Sequence, residues 1–220
     1  MPLPLSAAEI RVLGSLIEKQ ITTPDYYPLT LNALTNACNQ LSNRDPVVLF
    51  DEATVVRALE ALREQRLALL FDGATSRVPK YAHQFDEALG LTRPELAALA
   101  VLFLRGPQTV GEIRGRSGRM HEFATIEETE ATLRGLAEKS PPFVVKLPRQ
   151  SGFKESRYAH LLSGPVAVEA ADAAPRPEAA SLPTSLESER LAKLETETAA
   201  LRQEITGLKT ELAEFKRQFA

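Results

Sequence analysis

The sequence predicts a mainly α protein of the α+β class: two tandem winged-helix domains, a disordered linker and a C-terminal coiled coil. Three observations carry that prediction. A segment of about 80 residues recurs with its landmarks in the same order, and a repeat of this length present only twice indicates duplicated domains rather than a solenoid. Within each copy the apolar period changes from helical to strand-like. The last residues carry a heptad pattern. The resulting boundaries are 1–88 and 89–162 for the two domains, 163–185 for the linker and 186–220 for the coil.

The first copy opens at Ser6 with Glu9 three residues on, a capping box in which hydroxyl and carboxylate satisfy orphan amides. Ile10, Leu13, Leu16 and Ile17 then form one helix face, Leu31 and Leu34 a short second helix, and Val55, Val56, Leu59 and Leu62 a third with Asp51 as N-cap. The apolar run over 67–71, the turn dipeptide Asp72-Gly73 and a returning strand over 77–85 make a hairpin. Tyr26 and Tyr27 are expected to pack beside Pro28. Thr92 and Glu95 open the second copy, whose first helix runs over 96–104. Thr109 and Glu112 open its second helix, and Thr125 its third. Its hairpin spans 143–161 with a turn near Ser151 and Gly152. The copies close alike, on Lys80-Tyr81-Ala82-His83 and Arg157-Tyr158-Ala159-His160.

Residues 163–185 are rich in Ala, Pro and Glu without hydrophobic period, hence a linker. Beyond it Leu191, Leu194, Thr198, Leu201, Ile205, Leu208, Leu212, Phe215 and Phe219 alternate spacings of three and four. In that frame the flanking pairs Arg190 with Glu195, Glu197 with Arg202, Glu204 with Lys209, and Glu211 with Lys216 are all opposite in sign, which favours parallel self-association. Leucine at most d positions leans towards a dimer, with a trimer left open. The alternative is a lone amphipathic helix.

Composition bounds the function. With 220 residues, 44% hydrophobic and 25% charged, the chain is globular in composition. No apolar stretch approaches the roughly 20 residues of a membrane span and no leader pattern opens the chain, so a cytoplasmic protein is expected. Net charge is −3 and the isoelectric point about 5.8, not the basic balance of a dedicated nucleic-acid binder. Distribution matters more. Arg105, Arg114, Arg116 and Arg119 surround the second helix of copy two with only Glu112 opposing, and its hairpin adds Lys146, Arg149, Lys154 and Arg157 against Glu155. If these groups share a face they offer roughly four to six phosphate contacts. The bland alternative is a solvated cationic surface. Both third helices open on acids, Asp51 and Glu52 in one and Glu127, Glu128 and Glu130 in the other, which suits helix capping better than base readout.

In copy one Asn36, Asn39, Gln40, Asn43 and Arg44 crowd the end of helix two and the following loop. Such amides and an arginine can bind bases or a partner's backbone, or simply satisfy the loop, and the structural role is favoured. No enzyme, cofactor or metal is expected. His83, His121 and His160 are not spaced with Cys38 as ligands would be, two of them occupy equivalent repeat positions, and residues 111–118 lack the lysine of a phosphate-binding loop. Cys38 reads as a small packing residue.

Residues 13–20, 22–30 and 37–40, with Asn43-Arg44-Asp45-Pro46-Val47, Leu104-Arg105-Gly106-Pro107-Gln108-Thr109 and Glu155-Ser156-Arg157-Tyr158-Ala159-His160-Leu161, closely resemble the YceH-like family of bacterial proteins. The resemblance covers about residues 5–164 and implies a tandem winged-helix fold without implying an activity. Val110 stands where proline is expected and Leu41 where lysine is expected, the latter removing a cation from a loop. Two functional expectations follow. The leading one is a double-stranded DNA-binding protein, a transcriptional regulator or nucleoid-associated factor, dimerised through Leu191, Leu194, Leu201, Ile205, Leu208, Leu212 and Phe215. The other is a non-catalytic scaffold that binds a protein partner.

Overall fold

Each copy of the repeat builds three helices followed by a two-stranded antiparallel hairpin. In the computed structural model, which describes residues 4–71, 78–149 and 155–165, the first copy comprises α1 (Ala7–Thr22), β1 (Leu29–Thr30), α2 (Leu31–Cys38), α3 (Glu52–Glu64), β2 (Ala68–Phe71) and β3 (Lys80–His83). A short α4 (Phe85–Leu89) leads to α5 (Arg93–Arg105), α6 (Val110–Ser117), α7 (Ile126–Glu138), β4 (Val144–Lys146) and β5 (Tyr158–His160). The described residues therefore form a mixed α and β protein with seven α-helices. Both hairpin turns, the linker from residue 166 onward and the heptad segment lie outside the described residues.

The caps lie where the hydroxyls and carboxylates predict. Ser6 with Glu9, Thr92 with Glu95 and Thr109 with Glu112 form reciprocal capping boxes. Asp51 accepts from the Thr54 amide at 2.8 Å, and Thr125 from the Glu128 amide at 3.1 Å. The carboxylate of Glu128 turns instead to the Ala124 amide, at 2.8 Å.

Register makes the duplication exact in places. Ala68 opposes His83 in the first hairpin, and Val144 opposes His160 in the second. Leu29, just before the Thr30 cap of α2, pairs with Tyr81, while Gln108, just before the Thr109 cap of α6, pairs with Tyr158. A third strand thus edges the first hairpin and shrinks to one bridge in the second. Two residues carry no period, so β1 leaves no mark in the sequence. The returning strand expected over 77–85 ends at His83, and Phe85 instead is fully buried at the start of α4.

One hydrophobic core serves both copies. Every residue from Leu96 to Leu104 is buried, so α5 is apolar all round and has a neighbour on each side. Its main partner is α1. Gly14 is the point of closest approach: a Cβ there would lie 3.0 Å from Leu104 Cδ2 and from Phe103 Cβ. The Leu5 amide, ahead of α1, donates to the Leu162 carbonyl after β5 at 2.7 Å. The residues described belong to one compact unit whose core runs through α1 and α5.

Candidate nucleic-acid interface

The long loop after α2 decides what copy one can offer. Arg44 is buried, and its five N–H donors make five hydrogen bonds: to Glu18 Oε1 at 3.2 Å and Oε2 at 2.6 Å, to the Asn43 carbonyl at 2.9 Å, and twice to the Ala37 carbonyl, at 3.1 and 2.9 Å. That saturates the guanidinium. Arg11, buried on α1, donates to the carbonyls of Cys38 at 3.3 Å and Pro46 at 2.6 Å. Asn39 uses both ends of its amide on Phe50, donating to its carbonyl and accepting from its amide, each at 2.8 Å. The Asp45 amide reaches α5 through the Leu104 carbonyl at 2.8 Å, and Asn43 Oδ1 accepts from Arg105.

The loop is thus fastened between α1 and α5. The hydrogen bonds fit the structural role: half-buried Asn39 and buried Arg44 hold the loop, and exposed Asn43 accepts from Arg105 of the other copy. Gln40, half-buried, makes no hydrogen bond among the described residues. Arg11 and Glu18 went unnoticed in the sequence because charged residues within an amphipathic helix are ordinarily placed on its wet face. Tyr26 is corrected, being 80% exposed, whereas the half-buried Tyr27 hydroxyl accepts from the His83 amide at 2.7 Å. Burial pushes the Tyr27 phenol well above its usual range.

The cationic side chains of copy two divide into separate groups. Arg116, 3.3 Å from Glu112, and Arg119 line a cleft between the copies with Arg105, Glu18 and Asn43. Arg114 serves the turn between α6 and α7, donating to the carbonyls of Phe123 at 3.1 Å and Ala124 at 2.8 Å. Lys146 lies in another cleft, formed where the hairpin meets the first residues of α6 and α7, with Val110, Gly111, Ile126, Glu155 and Ser156. Its ammonium is 3.7 Å from Glu130 and 5.7 Å above the Tyr158 ring. Arg149 is exposed beyond β4, and Arg157 is half-buried at the start of β5. Lys154 lies outside the described residues, as do the heptad positions Leu191, Leu194, Leu201, Ile205, Leu208, Leu212 and Phe215.

The acids of α7 are partly spoken for. Glu128 holds the Ala124 amide and lies 3.6 Å from His121, and Glu130 meets Lys146. Glu127 is exposed, and its own amide and Thr125 hold its carboxyl below the usual range. Along the outer side of α6, Gly111, Gly115 and Gly118 have open space where a Cβ would stand, so another molecule's backbone can approach that helix closely.

The histidines serve the fold. His83 Nδ1 accepts from the Phe85 amide at 3.3 Å and lies 3.5 Å from Asp86, while burial lowers its pKa to about 4 despite that carboxylate. Burial lowers His160 to about 4 as well, with its ring edge-on to Phe103 at 5.1 Å. Buried Cys38 has its thiol pushed up by desolvation. Among the described residues no group of His, Cys, Asp or Glu has metal-binding geometry, and no helix is long and apolar enough to cross a membrane.

Comparison with known proteins gives the chain its relatives. A family model described as "Protein of unknown function, DUF480" matches residues 5–153. A UPF0502 protein of Geotalea uraniireducens is 55% identical over 219 residues, covering 100% of both chains. Another, of Opitutus terrae, is 55% identical over 203 residues, covering 91% of this chain and 85% of its own. A third, of Photobacterium profundum, is 49% identical over 214 residues, covering 95% and 96% respectively.

Proposed function

The chain belongs to the DUF480 family, the UPF0502 proteins that the YceH-like motifs indicate, and on the geometry of its second copy we propose that it is a non-enzymatic, duplex-DNA-binding protein of tandem winged helices. The observation that carries this reading is the cleft at Lys146, where hairpin, α6 start and α7 start converge. In a winged helix the hairpin is the wing, and wing and helix ends supply phosphate contacts that set register on the duplex. Lys146, Arg149 and Arg157 give the wing its positive charge, Lys154 follows in the sequence between β4 and β5, and the open glycine side of α6 lets a sugar-phosphate backbone come close. Acids at the start of α7 disfavour deep base readout, so the binding is expected to be dominated by backbone contact and to be strongly salt-dependent. The heptad pattern supports a parallel dimer, which would present two such wings to one duplex.

Fluorescence anisotropy of the full chain with random duplex DNA across a salt series tests this. Arg149→Ala is expected to weaken binding for every sequence alike and to reduce the salt slope by about 1. Absence of binding at low salt would refute the proposal. A second reading, a protein-binding scaffold, rests on Ile126, 48% exposed beside the exposed carboxylate of Glu127. In that case Ile126→Ser with Glu127→Lys removes a co-purifying partner and leaves dimerisation intact.

A further inference from the structure

We propose that the cleft between the two copies is a binding site for a phosphate-class dianion, distinct from the wing and held by Arg105, Arg119 and the Asn43 amide. The cleft is lined by Glu18 and Thr22 of α1, Asn43 of the long loop, Arg105 of α5, and Arg116 and Arg119 at the end of α6. Its one lining carboxylate, Glu18, has both oxygens engaged by buried Arg44, and Lys19 stands 3.8 Å away. Arg116 is matched by Glu112 at 3.3 Å. Two cations remain without a carboxylate partner. Arg119 makes no hydrogen bond or ion pair among the described residues, and Arg105 has only the neutral side-chain oxygen of Asn43.

Charge of one sign held together in a concave, partly dry place calls for a counter-charge. The half-buried Arg105 guanidinium is held below its ordinary pKa by desolvation, then by repulsion from Arg116 and Arg44, with Glu18 and Asp45 offsetting part of this. Two guanidinium groups match a phosphate monoester or pyrophosphate, which carry about two or more negative charges near neutral pH, better than the single charge of a carboxylate, and each offers a planar fork to its oxygens. Asn43 completes the donor set. Its Oδ1 accepts from Arg105, which leaves the Nδ2 protons for the ligand, and it sits in the left-handed region at φ 61°. The ligand would touch the loop beside α1 of the first copy and the ends of α5 and α6 of the second, so it would also bind the copies together. This inference does not depend on the wing binding DNA.

The test is thermal unfolding of the full chain with pyrophosphate, inorganic phosphate or acetate replacing chloride at constant ionic strength, followed by calorimetric titration with pyrophosphate. Saturable stabilisation by the two phosphate anions and none by acetate is expected, with Arg119→Ala binding pyrophosphate about tenfold more weakly and Arg149→Ala binding it as wild type does. Arg119 is exposed and makes no internal contact, so its variant keeps the fold. Equal effects of acetate and phosphate, no saturable effect at all, or unaltered binding by Arg119→Ala would overturn the proposal, as would a loss in Arg149→Ala equal to that in Arg119→Ala. A duplex oligonucleotide separates the sources of the phosphate group. Displacement of pyrophosphate by duplex, weakened by Arg119→Ala, would assign the site to the singly charged phosphodiester of a backbone and overturn the dianion proposal, whereas simultaneous binding of duplex and pyrophosphate is the expected result.

Discussion

Arg44→Ala is the substitution that most directly probes how this molecule is held together. It removes a guanidinium whose side chain is fully buried and leaves the Glu18 carboxylate, itself only 12% exposed, with Lys19 at 3.8 Å as its remaining cation. It also strips two donors from the Ala37 carbonyl and unfastens the loop from α1. Removing one member of a buried pair costs about 3–5 kcal/mol, most of it the penalty of the charge left behind. For a unit of this size that corresponds to roughly 10 °C in Tm. Equilibrium urea unfolding followed by circular dichroism measures the loss, and comparison with Glu18→Gln and with the double variant Glu18→Gln, Arg44→Ala isolates the coupling. Because the cost lies in the orphaned carboxylate, the double variant Glu18→Gln with Arg44→Met is expected to recover at least about 1 kcal/mol relative to Arg44→Ala. A loss below about 1 kcal/mol for Arg44→Ala would refute the reasoning, since it would mean that Glu18 rehydrates and the loop anchors elsewhere.

Gly14→Val is expected to cost about 1–3 kcal/mol, measured in the same way, because its side chain meets Phe103 and Leu104 at the contact of α1 with α5. Acidification is expected to destabilise the fold through His83 and His160. Their folded pKa values of about 4 lie below the ordinary histidine value of 6.5, so the unfolded chain binds more protons between those limits and stability falls as pH drops from 6.5 towards 4. Each contributes up to about 2 kcal/mol of loss between pH 6.5 and 5, and His83→Gln flattens the slope measured by denaturant titration at successive pH values. Glu112→Gln, which frees Arg116 from its ion pair, is expected to tighten pyrophosphate binding by about threefold in calorimetry.

Much of this architecture is local in origin, and for that reason it can be read from the chain. Hydroxyl and carboxylate three residues apart place Ser6, Thr92 and Thr109 at helix starts because a capping box satisfies amides within one turn. The repeat of Lys80-Tyr81-Ala82-His83 in Arg157-Tyr158-Ala159-His160 announces equivalent strands, whose pairing with Ala68 and Val144 follows the same register. The unbroken apolar run of α5 also carried a signal that it is enclosed, although periodicity by itself names no partner. The family motifs and the absence of a long apolar span are equally properties of the sequence.

Which surfaces face each other is a different kind of fact. Arg11, Glu18 and Arg44 look like solvated charges until α1, the loop and α5 come together, because a buried ion pair is specified by residues distant in sequence and not by any spacing along one element. The same docking separates Arg116 and Arg119 from Lys146, although all of them belonged to one basic group along the chain. Charge content and local order are written residue by residue, whereas the clefts those charges line exist only after Gly14 has let two helices pack within reach of one another.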